Sequence, residues 1–370
     1  MSALSRDSCV LLTGATGLIG GEVLRALLDF GVREIWTLVR PQEQSTPAAR
    51  IVVRMRRSGA DLNGAADFVH AILGDMRRTG LGLSADCAER VRSAIDFVVY
   101  CGGETSFIRD AQCRDTNIVG MRNHIDFVRG CERSPLIVYV STAANSGAVT
   151  HCCLGEDDGC KPDNNHHNEY TRSKAVAERM LLDSGLPALV VRPSVVLSAG
   201  LPDRSFARAI LWFIPLLQQF DAVPVDPSSR LDIVPVAFVA RSIVALMAAR
   251  ARRWECYHLS AGARGATTCE EFSRYLDDFF GRRHPLRLVP PDQWDGHLHR
   301  RHVRTRHQRK LFGTFRYYLP FINMDLVYDN VRLRDEIGDS AMAVPTVTEY
   351  AGDLLRLITM EEAVEGSKDP

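Results

Sequence analysis

The sequence carries no excess of charge of either sign: 45 Lys and Arg are balanced by 45 Asp and Glu across 370 residues. Such a chain has no global field to draw it to nucleic acid or to an anionic membrane. It also lacks a long apolar run. The longest unbroken one, Ala209 to Leu217, contains Pro215 and is too short to span a bilayer. No signal-peptide pattern precedes the first apolar segment, so the sequence predicts a cytosolic protein. Ten cysteines are present, but neither a disulfide framework nor a CxxC or HxxxH pair occurs, so they read as reduced thiols. Cys152, Cys153, Cys160, His166 and His167 are accordingly expected in a polar loop beside the site, with no metal. No internal repeat is found.

What is present begins at Cys9. The run Cys9-Val-Leu-Leu-Thr-Gly-Ala-Thr-Gly-Leu-Ile-Gly20 breaks an apolar stretch with three glycines spaced three apart, ahead of an amphipathic segment that Gly31 stops. That pattern predicts strand, tight turn and helix, with the helix beginning near Leu18. Gly14 takes up a conformation a Cβ resists, Gly17 lets the main chain approach a ligand, and Gly20 allows close helix packing. The free N–H groups at the helix start would face a pyrophosphate, so Gly14, Thr16, Gly17, Leu18, Ile19 and Gly20 are candidate dinucleotide contacts.

Further strands are expected at Glu34–Val39, Phe68–Leu73, Asp96–Cys101, Leu136–Val140 and Ala188–Val191, separated by helices, with a brief return to strand at Tyr257–Ser260. This alternation predicts an α/β fold, a doubly wound parallel sheet with ligands off the carboxyl ends of its strands. Arg40 ends the second strand with no acidic residue before Glu43, which favours the 2′-phosphate of NADPH over the free hydroxyl of NADH. Arg50, Arg54 and Arg57 lie on the next helix, either as a second phosphate clamp, strongest for Arg50, or as a solvated basic face. Asp75 is expected to accept from an adenine amino group, with Met76 beside it. Cys101, Gly102 and Gly103 would lie against the cofactor, as would Pro193, Ser194 and Val195 after the sixth strand.

Tyr170 and Lys174 are four apart in a strongly helical stretch, so both project from one face. An ammonium near a phenol favours phenolate, which predicts a lowered Tyr170 pKa and a tyrosine that exchanges protons. The regular alternation stops after Ser194. Segments 200–230, rich in Phe, Leu and Pro and including Trp212, and 262–360 are expected to form a smaller, mostly helical substrate lobe. The Rossmann part is then 1–199 plus about 231–261, and 361–370 reads as a frayed tail. The basic run from Gly296 to Lys310 reads either as a solvated helix or as a face for an acidic carrier protein or coenzyme A phosphates. Without interleaved stacking aromatics it does not suggest nucleic acid.

Taken together, Thr-Gly-Ala-Thr-Gly-Leu-Ile-Gly20, Asn117, Thr142 and Tyr170-x-x-x-Lys174 resemble the extended short-chain dehydrogenase/reductases. Trp36-Thr-Leu-Val-Arg40, Leu73-Gly-Asp75, Tyr139-Val-Ser-Thr-Ala143, Val191-Arg-Pro-Ser194 and Leu231-Asp-Ile-Val-Pro-Val236 narrow the likeness to thioester reductases and male-sterility-type fatty acyl-CoA reductases. The resemblance implies catalytic Thr142, Tyr170 and Lys174, a supporting Asn117 that positions a water, and NADPH as cofactor. It implies an acyl thioester, on coenzyme A or a carrier protein, reduced to aldehyde, with further reduction to alcohol open to the same site. Ala144-Asn145-Ser146-Gly147 and Gly102-Gly103 depart from the family pattern beside the expected nicotinamide. Three alternatives stay open: a ketone or aldehyde reductase, a nucleotide-sugar epimerase, and a non-catalytic NADP-binding sensor.

Overall fold

The computed structural model describes residues 3–60, 66–198, 214–338 and 344–365. Strands β1 (Cys9–Thr13), β2 (Glu34–Val39), β3 (Val69–Leu73), β4 (Phe97–Tyr100) and β5 (Leu136–Val140) are followed by β6 (Cys152–Leu154), β7 (Ala188–Pro193), β8 (Val195–Leu197), β9 (Ala222–Val223), β10 (Arg230–Leu231), β11 (Ile233–Pro235), β12 (Cys256–Leu259), β13 (Thr267–Thr268), β14 (Arg287–Leu288) and β15 (Leu326–Tyr328). Seven of them make one parallel sheet in the order β12-β7-β5-β4-β1-β2-β3. The central strands are buried on both faces, which is why they read as continuous Val, Ile and Leu runs rather than as alternating ones. In β1, Val10 and Leu12 belong to the core on one face and Leu11 to the core on the other.

The chain winds outward from β1 to β3, then returns to β4 on the other side of β1. This reversal opens a crevice at the carboxyl ends of β1 and β4, the place where open α/β sheets hold ligands. Helices α1 (Leu18–Phe30), α2 (Pro47–Arg57), α3 (Ala85–Ala94), α4 (Asp110–Cys113), α5 (Gly120–Arg129) and α6 (Glu169–Leu182) serve the crossovers. Gly31 stops α1 in the left-handed conformation, with φ of 98°. A π turn over Arg114–Val119 joins α4 to α5 and contains Asn117, which accounts for an Asn inside a helical run.

Beyond β7 the chain builds a second mass around two further cores. The helix Cys269–Phe280 starts at Thr268, whose hydroxyl and the Glu271 carboxylate form a capping box. The basic run folds as two short helices, Gly296–His302 and Arg306–Phe315, rather than one. Val303, between them, is buried among Phe220, Val223 and Phe315 and draws the chain inward.

Some boundaries differ from the sequence expectation. Helix Val331–Ile337, expected in the substrate lobe, packs on the sheet half: Leu333 joins the core that holds β1, and Glu336 accepts from the Tyr257 hydroxyl at 3.0 Å. The Cys/His-rich stretch contributes β6, paired in parallel with β15, so it bridges to the lobe. The final helix, Val347–Glu365, runs past the expected end near Met360 because Glu361, Glu362 and Ala363 are good helix formers. Phe206 and Trp212, expected in the lobe insertion, and residues 366–370 of the expected tail lie outside the described residues.

Candidate active site

The glycine turn closes the crevice at β1. Gly14 has φ of 78°, and a Cβ there would lie 2.6 Å from the Gly102 nitrogen, so the turn and the end of β4 touch main chain to main chain. A Cβ on Gly20 would lie 2.2 Å from the Gly14 carbonyl oxygen, so the first turn of α1 presses on the glycine turn itself. Gly17 is the N-cap of α1 with no side-chain cap, which leaves the helix's first N–H groups free for an anion.

Under this turn lies Arg54, 2% exposed and neither a solvated residue nor a phosphate clamp. Its Nε donates to the Gly17 carbonyl at 2.9 Å, and its Nη2 donates to the Leu18 carbonyl at 3.0 Å and to Glu22 at 3.3 Å. The buried guanidinium staples α2 to the cradle because Glu22, itself fully buried, neutralises it. Arg50 donates from Nη1 to the Arg40 carbonyl at 2.7 Å, and the Arg40 side chain is exposed at the end of β2. Arg77 grips both Asp75 oxygens, at 3.0 and 2.6 Å, and holds the carboxyl below its usual range. Met76 packs its thioether against Gly102.

On α6, Tyr170, Lys174 and Glu178 recur at four-residue spacing along one face. Burial raises the Tyr170 phenol above its ordinary value, and a hydrogen bond from the Thr142 side chain works against that rise. The expected lowering of Tyr170 by Lys174 is not what the structure shows. The Lys174 Nζ donates instead to the Val140 carbonyl at 2.5 Å and sits 4.3 Å from the centre of the Tyr139 ring. Burial pulls the Lys174 ammonium down to about 7, against the attraction of the Glu178 carboxylate. Burial likewise pushes the Cys101 thiol up to about 12, so it is no thiolate.

Asn117 is 1% exposed, and its amide is occupied: Nδ2 donates to the Glu104 carbonyl at 3.1 Å and to Ser173 Oγ at 2.8 Å, while Oδ1 accepts from the Glu104 N–H at 3.0 Å. It fixes the loop after β4 onto α6. Glu178, which sequence reasoning missed, does the same for the loop after β5. Fully buried, it accepts from Ser141 Oγ at 2.6 Å and Asn145 Nδ2 at 2.7 Å, and Arg192 closes on it from β7 with Nε at 3.1 Å. The continued four-residue spacing beyond Lys174 was the available signal.

One cavity of about 620 Å³ joins these parts. Gly17, Leu18, Ile19 and Gly20 line one end, with Cys101, Gly103, Pro193, Ser194 and Val195; Thr142 and Tyr170 stand in its wall. Gly14, Thr16, Gly102, Asn117, Lys174, Arg40, Arg50, Asp75 and Met76 do not border it. From Tyr170 the cavity continues past Phe107, Tyr318 and Phe321 into the second mass. Among the described residues no cluster of three or more His, Cys, Asp or Glu side chains suits a metal, and no helix is long and apolar enough to cross a membrane. Cys160, in the Cys/His-rich stretch, is buried with its N–H on Asn145 Oδ1 at 3.1 Å.

A parallel sheet of this order, with a glycine cradle at its switch point and a Thr, Tyr and Lys gathered beside it, defines an oxidoreductase of the extended short-chain dehydrogenase/reductase class that uses NAD(P). The chain belongs to the Male sterility protein family, whose NAD-binding model matches residues 12–243. It is 28% identical over 255 residues to the nonribosomal peptide synthetase asaC of Aspergillus flavus, a match covering 64% of this chain and 24% of that one. The chain thus spans about a quarter of that curated relative. In fold it is similar to the terminal R domain from the myxalamid PKS-NRPS biosynthetic pathway, with a TM-score of 0.77 and 23% identity over 99% of this chain and 92% of that one. It is also similar to a thiolation-reductase di-domain from an archaeal non-ribosomal peptide synthetase, with a TM-score of 0.72 and 17% identity over 98% and 77% of the two chains.

Proposed function

We propose that this protein reduces an acyl thioester with NADPH, releasing an aldehyde and a free thiol. The observation that carries the reading is the single cavity running from the glycine cradle, past Thr142 and Tyr170, into an apolar chamber. The cradle fits a dinucleotide: its close main-chain approach excludes side chains, and the first N–H groups of α1 are uncapped. Arg40, exposed at the end of β2 with no acidic residue following it before Glu43, suits a 2′-phosphate.

NADPH, held in the cradle, would supply the hydride for the carbonyl carbon. Thr142 and Tyr170 donate hydrogen bonds to the carbonyl oxygen as it gains negative charge, and the Tyr170 hydroxyl gives up its proton there. Both line the cavity, and the Thr142 side chain acts on the Tyr170 phenol, opposing the rise that burial causes. Lys174, a turn further along α6, brings a cation to this side of the site, where the Val140 carbonyl holds its ammonium in place. Asn117 acts through the loop it fixes. Loss of the thiol from the resulting hemithioacetal gives the aldehyde, so one NADPH is consumed for each thiol released.

The thioester reaches the site on coenzyme A or on a carrier protein. Arg300, Arg301, Arg306, Arg309 and Lys310 are exposed on the two short basic helices, whose second one ends at the cavity-lining Phe315. That places positive charge beside a wall of the cavity, where an acidic carrier or the phosphates of coenzyme A would gain by it. The likeness in fold to a thiolation-reductase di-domain supports the carrier route. Thiol release and NADPH oxidation measured together on acyl-coenzyme A test the reading. A one-to-one stoichiometry is expected, and NADPH oxidation without thiol, as in ketone reduction, contradicts it.

A further inference from the structure

Gly21 follows the last glycine of the cradle but makes no turn. It is buried in regular helix within α1, where glycine is unfavourable by propensity, so its presence asks for a cause. The cause is Arg54, which reaches over from α2: a Cβ on Gly21 would overlap the Nε, Cζ and Nη2 atoms of that guanidinium. Bare main chain is what lets a buried arginine pass at this point.

The guanidinium passes there to reach two carbonyls of the turn that borders the cavity. Arg54 Nε donates to the Gly17 carbonyl, which already accepts from the Gly21 N–H at 3.1 Å, and Nη2 donates to the Leu18 carbonyl. In a trans peptide the C=O and N–H bonds point in opposite directions, so holding these two oxygens fixes where the Leu18 and Ile19 N–H groups are aimed. Those N–H groups are the first of α1, its N-cap offers them no side chain, and both residues border the cavity. Hydrogen bonds to a carbonyl also polarise its peptide, which makes the N–H at the other end a stronger donor. Glu22 holds the guanidinium in this place. Its Oε1 accepts from Arg54 Nη2 and, at 2.6 Å, from Ser58 Oγ, and its other carboxylate oxygen accepts from Arg25 Nε at 2.8 Å.

We propose that Arg54 is a positioning residue for the cofactor's pyrophosphate, acting through the Gly17–Leu18 and Leu18–Ile19 peptides without touching the ligand. The inference rests on the dinucleotide site alone and stands whichever carbonyl group is reduced. A simpler role, docking α2 on the sheet, would leave a different signature, because α2 also carries Arg50, whose bond to the Arg40 carbonyl braces the corner proposed for the 2′-phosphate. Loosening α2 would harm both ends of the site, whereas misaiming two N–H groups harms the pyrophosphate end.

Calorimetric titration of the full chain with inorganic pyrophosphate and, separately, with adenosine 2′-phosphate tells the two apart. Arg54→Lys keeps the charge and loses the two-pronged grip. It should weaken pyrophosphate about tenfold and leave adenosine 2′-phosphate within about twofold of wild type. Glu22→Gln combined with Arg54→Met removes both buried charges, so neither is left unpaired, and it should show the same selective loss even where Arg54→Lys proves unstable. Pyrophosphate affinity unchanged in a folded variant, or both ligands weakened alike, would overturn the assignment.

Discussion

The Asn117 amide nitrogen lies 2.8 Å from the hydroxyl of Ser173, the residue between Thr171-Arg172 and Lys174 on α6. With its two bonds to the Glu104 main chain, that contact joins the loop after β4 to the helix presenting Tyr170 and Lys174. The loop carries Gly103, which borders the cavity, and Phe107, which stacks on Tyr170.

Removing this clamp should act on both cofactor and turnover. Asn117→Ala leaves the Glu104 N–H and carbonyl without their side-chain partner, a loss of about 1–3 kcal/mol. Steady-state kinetics should show a raised KM for NADPH together with a lowered kcat. A residue that only relayed protons would lower kcat alone, and that outcome would contradict the positioning role.

Glu178 should matter to stability more than any exposed carboxylate of this chain. Glu178→Gln leaves the buried Arg192 guanidinium unneutralised and withdraws an acceptor from Ser141 and Asn145. The cost should be about 3–5 kcal/mol, read as a lowered urea midpoint. A change below about 1 kcal/mol would show that the network is not a structural necessity.

The low Lys174 value sets a pH dependence. An ammonium depressed to about 7 is charged below that pH and loses its charge above it. If Lys174 assists as a cation, kcat/KM for NADPH should fall as pH rises through about 7, and Lys174→Met should abolish that inflection. A wild-type profile flat from pH 6 to about 9 would count against the role.

Arg40 tests the cofactor preference. Arg40→Glu should lower kcat/KM for NADPH by roughly 10–100-fold and improve NADH, because a carboxylate repels the 2′-phosphate and accepts from a free hydroxyl. Equal use of both cofactors by wild type and variant would remove Arg40 from the site.

The sheet was legible because strands buried on both faces must be apolar throughout, and Glu34–Val39 and Leu136–Val140 announce themselves that way. Gly14 was legible because a positive φ narrows the choice of residue. Arg54 was not. A basic residue in an Arg-rich helix looks solvated until Glu22, 32 positions earlier, is seen to face it. The partners of Asn117 and Glu178 were hidden for the same reason, since they come from three crossovers that meet only in the fold. The tyrosine's pKa was misjudged because spacing on a helix places Lys174 near the phenol but does not reveal the Val140 carbonyl that takes its proton donor.

The central claim is that the Tyr170 hydroxyl supplies the proton during reduction of a thioester. Parallel measurement of thiol release and of NADPH affinity in Tyr170→Phe tests it most directly. The account predicts that thiol release falls by about 10²–10⁴-fold while the dissociation constant for NADPH stays within about twofold of wild type. Thiol release at the wild-type rate in that variant would contradict it.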